Sequence, residues 1–148
     1  MDEMLAPCGL HCDDCFAHQG RMADLARDLR KELRSARFDV FAEEMSKVGI
    51  FRDFGHYPEA YLFLGALVKF RCKRGCRAGG GNPWCAMKKC TEKREIAGCW
   101  ECGDFETCDK LTALEATHGD AHLRNLRRLA RDGDLDHGRR EWYHKRRE

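Results

Sequence analysis

The cysteine-rich stretch at residues 72–108 reads CKRGCRAGGGNPWCAMKKCTEKREIAGCWECGDFETC. It holds seven of the ten cysteines in a chain of 148 residues, and the other three lie in CGLHCDDC at residues 8–15. No cysteine occurs between these two clusters, in residues 16–71. This cysteine content is well above ordinary usage, and the chain is longer than the small secreted proteins that depend on disulfides alone. The two clusters therefore require a specific chemical role.

The spacing of the cysteines predicts metal binding. A separation of two to four residues lets one turn present two sulfurs to the same ion, and five of the nine gaps between successive cysteines are of this kind. Zinc prefers four thiolate or imidazole ligands in a tetrahedron. The sequence thus predicts a zinc-binding framework whose ligands are drawn from all ten cysteines: Cys8, Cys12, Cys15, Cys72, Cys76, Cys85, Cys90, Cys99, Cys102 and Cys108.

The number of thiols predicts two zinc ions per chain, because ten thiols fill two four-cysteine sites with two left over. The first predicted site is local in sequence and uses Cys72, Cys76, Cys85 and Cys90. The second joins two distant segments and uses Cys12, Cys15, Cys99 and Cys102. Cys8 and Cys108 are the substitutes in this grouping.

Other roles for the cysteines remain open. Iron–sulfur clusters are also held by cysteine thiolates, and a thiol-based redox protein is a further alternative. The C-x-x-C form of Cys99 to Cys102 is shared with dithiol oxidoreductases, but the glycines on either side of it favour a metal knuckle. Two histidines beside the N-terminal cysteines, His11 and His18, are candidates to replace one thiolate.

Composition limits the class of protein. The N-terminus opens with acidic residues and lacks the apolar segment of a secretory signal, so we expect a cytoplasmic protein in which thiols stay reduced. The longest uncharged apolar stretch, residues 60–68, is far shorter than the roughly 20 residues of a membrane-spanning helix. No catalytic constellation of Ser, His and Asp or paired carboxylates stands out. The prediction is a non-catalytic module that binds a protein partner.

The C-terminal segment is mildly basic. Residues 124–148 hold nine Lys or Arg against five Asp or Glu, although the whole chain is almost balanced at 27 against 25. A basic excess of this size predicts at most weak, non-specific contact with nucleic acid. The arginines expected to carry that contact are Arg124, Arg127, Arg128 and Arg131.

Hydrophobic periodicity predicts a mainly α fold in one domain, residues 1–148. One helical stripe runs from Met22 to Leu33 and another from Phe38 to Val48. Pro58 suits the first turn of a third helix whose core, residues 60–68, is apolar on every face and is predicted to be the central buried helix. Further helices are predicted at residues 86–97, ended by Gly98, at 108–117, and at 121–131. The last is expected to have Asp120 as its cap and to face inward with Leu123, Leu126, Leu129 and Ala130.

The order of these motifs resembles a functionally uncharacterised family of small, cysteine-rich bacterial and archaeal proteins with a CGLxCxxC opening. The resemblance rests on residues 8–15 and then on the segments 75–77, 79–81, 84–90, 99–102, 105–111, 125–126 and 142–143. It implies zinc binding and gives no activity. Many members of that family have a further cysteine three residues before the equivalent of Cys85, where this chain has Asn82, and this difference leaves the ligand number of the middle site open.

Overall fold

The computed structural model describes residues 2–142, and these residues confirm the predicted mainly α fold. The described chain has no β-strand, only an isolated antiparallel bridge between Leu5 and His11. Its α-helices are α1 (Phe16–Gln19), α2 (Arg21–Ser35), α3 (Phe38–Met45), α4 (Tyr57–Lys69), α5 (Ala86–Arg94), α6 (Asp109–Thr112), α7 (Glu115–His118) and α8 (Ala121–Asp132). Short 3-10 helices lie at Cys12–Asp14, Gly49–His56, Cys76–Ala78, Cys99–Glu101 and Phe105–Thr107. None of the described helices is both long enough and apolar enough to cross a membrane.

Helix boundaries follow local sequence signals with two corrections. Pro58 lies in the first turn of α4, as predicted. Helix α5 ends at Arg94 rather than at Ala97, because Glu95 takes a left-handed conformation with φ of 54° before Gly98 is reached. The helix predicted over residues 108–117 is broken into α6 and α7, and a tight bond from the Leu114 N–H to the Leu111 carbonyl connects the two pieces.

The chain folds as two compact units. The first combines Met1–His18 with Lys73–Glu148, of which the structure describes residues 2–18 and 73–142, and the second is Gln19–Cys72. Nine of the ten cysteines belong to the first unit, here called the cysteine unit, and Cys72 ends the second, here called the helical unit. The expectation of one domain across residues 1–148 stays a prediction.

Helix α8 supplies the centre of the cysteine unit. Leu126 and Leu129 are buried as predicted, and Leu126 packs into the same cluster as Met87, Cys99 and Leu111. Ala130 is exposed, contrary to expectation. The buried face of α8 includes Ala121, His122 and Asn125 in place of Ala130. His122 and Asn125 are polar, so a hydrophobic pattern does not identify them as buried.

Asn125 connects three parts of the cysteine unit and is itself fully buried. Its amide nitrogen donates to the Gly9 carbonyl at 2.9 Å and to the Glu141 carbonyl at 2.8 Å, and its amide oxygen accepts from the Glu141 N–H at 2.9 Å. Buried polar groups are costly unless they are hydrogen-bonded, and these three bonds meet that requirement. The N-terminal loop, α8 and the chain beyond it are thereby joined at one side chain.

Asp120 stands at the N-cap position of α8, as predicted, but it does not cap through its side chain. Its carboxylate lies 3.3 Å from the Arg124 guanidinium, one helical turn further on. The side chain therefore contributes an ion pair along the helix surface in place of a hydrogen bond to the first-turn N–H groups.

In the helical unit, α2 packs against α4 through small and cationic residues. Ala23 and Ala26 of α2 and Gly65 of α4 are buried, and the Arg30 guanidinium lies 4.3 Å from the centre of the Tyr61 ring. A cluster of aromatic rings links α3 to the start of α4: Phe38, Phe41, Phe54 and Tyr57, with centroids 5.3 to 6.2 Å apart.

The prediction that α4 is the central buried helix is wrong. Gly65 is its one buried residue, while Leu62 is 73% and Phe63 is 63% exposed. Leu25 and Leu29 of α2, which lie on the apolar stripe predicted from Met22 to Leu33, are also exposed. A unit of this length is too small to surround an apolar helix, and one face of α4 is left open in the described chain.

We expect the open face of α4 to contribute little to stability. The double variant Leu62→Ser/Phe63→Ser should change the free energy of unfolding by no more than about 1 kcal/mol, because substitutions at exposed positions usually cost within about 0.5 kcal/mol each. Urea unfolding followed by circular dichroism measures this, and binding of the dye ANS should fall because exposed apolar area is removed. Lys69→Ser on the same helix is the control and should leave dye binding unchanged. A loss of stability typical of a core substitution would show that this face is covered.

The second prediction concerns pH. Burial lowers the pKa of His122 below the ordinary histidine value, and the opposing influence of Glu115 and Asp120 is smaller. The unfolded chain thus binds a proton at this histidine more readily than the folded chain, so stability should fall as pH drops through about 6.5. Unfolding in urea at pH 7.5 to 5, followed by tryptophan fluorescence, measures the cysteine unit because all three tryptophans lie in it.

His122→Gln should flatten this pH dependence, whereas His56→Gln, at an exposed position, should leave it as it is in the parent chain. An unchanged slope in His122→Gln would contradict the assignment.

Candidate metal centre

Four cysteines of the cysteine unit line one cavity of about 210 Å³. They are Cys90, Cys99, Cys102 and Cys108. Met87, Phe105 and Leu111 form its apolar wall, and Asp104, Asp109 and Lys110 also line it. A small cavity that collects four thiols from three segments of chain has the ligand set of a structural zinc site.

The four sulfurs come from one helix and two tight turns. Cys90 projects from α5. Cys99 begins a 3-10 turn that ends at Cys102, where the Cys102 N–H donates to the Cys99 carbonyl at 3.1 Å. Cys108 follows the next 3-10 turn and is closed in the same way by a bond to the Phe105 carbonyl at 3.4 Å. Cys99 and Cys102 are therefore joined by a tight turn, and the metal knuckle predicted there stays a prediction.

The surroundings of Cys99 favour its neutral thiol when no cation is present. Burial, with smaller contributions from the neighbouring Cys8, Cys108, Cys90 and Cys102, raises the pKa of Cys99 to about 12. A bound cation would reverse this preference, because a coordinating thiol loses its proton. The Arg94 guanidinium lies 3.0 Å from Cys102 Sγ and donates a hydrogen bond to it. Arg94 is therefore placed to offset negative charge on this sulfur. The sequence offers it as one of seven Lys or Arg residues near the middle cysteines, without distinguishing it from the others.

The thiols are not gathered into a coordination sphere. Within residues 2–142, no group of three or more Cys, His, Asp or Glu side chains is placed closely enough to hold a metal ion. In a tetrahedral zinc site the sulfurs stand about 3.8 Å apart, since each Zn–S bond is about 2.3 Å. Binding at the cavity thus requires the four thiols to rotate inward.

The remaining cysteines are distributed around this cavity or away from it. Cys8 and Cys85 pack against the same core cluster as Cys99, and burial raises the pKa of Cys8 to about 11. Cys12 and Cys76 form a separate hydrogen-bonded pair. Cys15 follows the 3-10 turn Cys12–Asp14, with its N–H bonded to the Cys12 carbonyl at 3.0 Å. None of the ten cysteines, all of which lie in the described residues, is joined in a disulfide.

This arrangement differs from both predicted quartets. Cys90 comes from the first predicted quartet, Cys99 and Cys102 come from the second, and Cys108 was a substitute. Cys76 meets Cys12, a residue of the other predicted quartet. Spacing places Cys99 and Cys102 on one turn, and both line the cavity. It does not show which segments converge, because that depends on how α5 and the two turns pack against α8.

Neither histidine beside the N-terminal cysteines lines the cavity. His11 Nε2 lies 2.7 Å from an Asp2 carboxylate oxygen, and His11 Nδ1 accepts a hydrogen bond from the Asp13 N–H at 3.3 Å. His18 lies 4.0 Å from Asp13. Both ring nitrogens of His11 are thus engaged within the N-terminal segment.

The two glycines that flank the knuckle should differ in their tolerance of a side chain. A Cβ at Gly98 would meet the Trp100 ring at 2.0 Å, whereas a Cβ at Gly103 meets nothing within 4 Å. Gly98→Ala should therefore destabilise the cysteine unit by about 1–3 kcal/mol, the usual cost of overpacking, and Gly103→Ala should be nearly neutral. Urea unfolding followed by tryptophan fluorescence gives both values. Equal values for the two variants would contradict the position of Trp100 against Gly98.

Comparison with known proteins places the chain in a family. The family model described as "Protein of unknown function (DUF3795)" matches residues 4–113, a range that contains all ten cysteines. No curated protein and no solved structure matches the chain. The expected membership of a functionally uncharacterised family is thereby confirmed. Because the match covers well over half of the 148 residues, the chain belongs to the DUF3795 family of proteins of unknown function.

Proposed function

We propose that the cysteine unit binds one zinc ion through Cys90, Cys99, Cys102 and Cys108, and that this ion has a structural role. The observation that carries the proposal is the convergence of these four thiols on one cavity. All four ligand positions are cysteine, the pattern of closed structural sites rather than of catalytic sites, which keep a position open for water.

The expected effect of the ion is to hold α5 and the two 3-10 turns together. Structural zinc sites in small peptides contribute roughly 10–16 kcal/mol of apparent binding free energy at neutral pH. Because zinc binds the folded site and not the unfolded chain, this free energy adds to the stability of the fold. Four thiolates around one Zn²⁺ leave a net charge of −2. The Arg94 guanidinium at Cys102 Sγ lies where it can offset part of that charge.

We further propose that the helical unit binds a protein partner. Leu62, Phe63, Ala66 and Phe70 recur at helical spacing along α4 and its C-cap, and all four are exposed. Exposed apolar residues that share one face are typical of interaction surfaces. The protein is accordingly proposed to be a metal-stabilised interaction module of the cytoplasm, where clustered cysteines stay reduced.

Contact with nucleic acid is the weaker proposal for a partner. Arg124 lies 2.9 Å and Arg128 2.8 Å from Glu141 carboxylate oxygens, and Arg127 lies 2.6 Å from Glu106. Arg131 pairs with Asp132 at 2.7 Å. Phosphate groups would have to compete with these four ion pairs, so the arginines offer less positive potential than the sequence suggests.

The metal proposal is tested by the zinc content of protein purified without oxygen and in the presence of a reductant. The parent chain should hold at least one zinc ion, and Cys99→Ser or Cys102→Ser should remove about one ion and lower the melting temperature, since each removes a ligand. Cys72→Ser, in the helical unit, is the matched control and should retain this ion. Inductively coupled plasma and native mass spectrometry give the metal count.

Three results would contradict the proposal. Iron with inorganic sulfide in a brown protein would assign the thiols to an iron–sulfur cluster. A metal-free chain with ten free thiols and an unchanged fold would remove the metal altogether. Zinc lost equally from Cys72→Ser and Cys99→Ser would place the ion elsewhere. The expected total of two ions stays a prediction, and the same measurement tests it.

A further inference from the structure

Cys12 and Cys76 form a direct thiol pair, although they are 64 positions apart in sequence. The Cys76 N–H donates to Cys12 Sγ at 3.3 Å, which places the two cysteines side by side. Neither residue lines the cavity that holds Cys90, Cys99, Cys102 and Cys108. The pair is therefore a second thiol site within the cysteine unit.

The backbone on both sides fixes this contact. The Cys12 N–H donates to the Met4 carbonyl at 2.7 Å and holds Cys12 at the head of its 3-10 turn. On the other side, the Arg77 guanidinium donates to the Leu5 carbonyl at 2.6 Å and draws the turn Cys76–Ala78 toward the same N-terminal loop. Gly81 passes so close that a Cβ there would lie 2.9 Å from Cys76 Sγ. These contacts of the neighbouring backbone and of Arg77 hold Cys12 and Cys76 side by side.

The Cys12 sulfur accepts the Cys76 N–H at 3.3 Å. A hydrogen-bond donor to a sulfur favours its thiolate, which is the nucleophilic form of cysteine. A nucleophilic cysteine beside a second thiol is typical of redox sites. The pair therefore has the arrangement of a dithiol in which Cys12 attacks and Cys76 resolves.

We propose that Cys12 and Cys76 are a redox-active dithiol that a hydroperoxide converts to a disulfide. The Cys12 thiolate attacks one oxygen of hydrogen peroxide, the O–O bond breaks, and Cys12 sulfenic acid and hydroxide form. The Cys76 sulfur then attacks the sulfenic sulfur, forms the S–S bond and expels the hydroxyl group as water with the Cys76 proton. Two thiols lose two electrons in total, and one peroxide is reduced.

Access to the pair selects for a small oxidant. Cys12 is only 5% exposed, while Cys76 is half-buried. A peroxide is small enough to enter where a bulky disulfide reagent is excluded. Cys76, which already contacts Cys12 Sγ, is then the resolving thiol that limits further oxidation of the sulfenic acid.

The test treats the reduced, metal-loaded full-length chain with one equivalent of hydrogen peroxide, followed by alkylation and mass spectrometry. The parent chain should lose two hydrogens and yield a cross-linked peptide joining Cys12 to Cys76. Cys76→Ser should lose the cross-link and retain a Cys12 sulfenic acid that dimedone traps, whereas Cys12→Ser should show neither product. Cys15→Ser, which alters a half-buried thiol of the same segment, is the matched control and should still form the Cys12–Cys76 bond.

Several outcomes would overturn the proposal. These are a cross-link between other cysteines, such as Cys12 and Cys15, or ten unreacted thiols under conditions that oxidise a free cysteine peptide. A lower zinc content in Cys12→Ser or Cys76→Ser than in the parent chain would show instead that the pair binds metal. The zinc at Cys90, Cys99, Cys102 and Cys108 is counted separately, by the effect of Cys99→Ser, so failure of one proposal is distinguishable from failure of the other.

Discussion

The close approach of Gly9 to α8 is the contact on which the cysteine unit depends. Gly9 has φ of +82°, and a Cβ there would lie 3.0 Å from the Leu126 side chain and 3.2 Å from the His122 carbonyl. Its own carbonyl accepts the hydrogen bond from the buried Asn125 amide. Any larger residue would be strained in this conformation and would push the loop away from the helix. Cys8 and Cys12 flank this contact in sequence, so their positions in the unit follow from the fit of one glycine against one helix.

Local signals predicted the helices, because capping, Pro58 and apolar spacing act over a few residues. They could not predict the burial of α4. A helix that is apolar on every face indicates that each face has an apolar neighbour, but it does not say whether that neighbour belongs to the same chain. The buried stripe of α8 was misplaced for a related reason. Asn125 and His122 are polar, and a hydrophobic pattern excludes them even though three hydrogen bonds make Asn125 a suitable core residue.

The site was predicted as a set of thiols and not as a geometry. The short gaps identified turns such as Cys99–Glu101 correctly, since a 3-10 turn is a local structure. The long gaps carried no information about which turns meet, because that is decided by the packing of Cys99 and Cys108 against Leu126. The contact of Arg94 was also beyond prediction. Seven Lys or Arg residues near the middle cysteines could offset thiolate charge by their positions in sequence, and only the fold shows that Arg94 reaches Cys102 Sγ.

The cysteine unit therefore holds its cysteines in two different environments. In the cavity, burial raises the pKa of Cys99, so the proposed zinc ion would have to displace the proton of that thiol. At the other place the Cys76 N–H donates to Cys12 Sγ, and a bond between the sulfurs of Cys12 and Cys76 would close a loop that contains the whole of Gln19–Cys72. Closing a loop of about 65 residues reduces the entropy of the unfolded chain by about 4 kcal/mol at 25 °C in the chain-entropy account. Oxidation of the pair would thus stabilise the cysteine unit without any new packing. One covalent bond would then join the segment that precedes the helical unit to the segment that follows it.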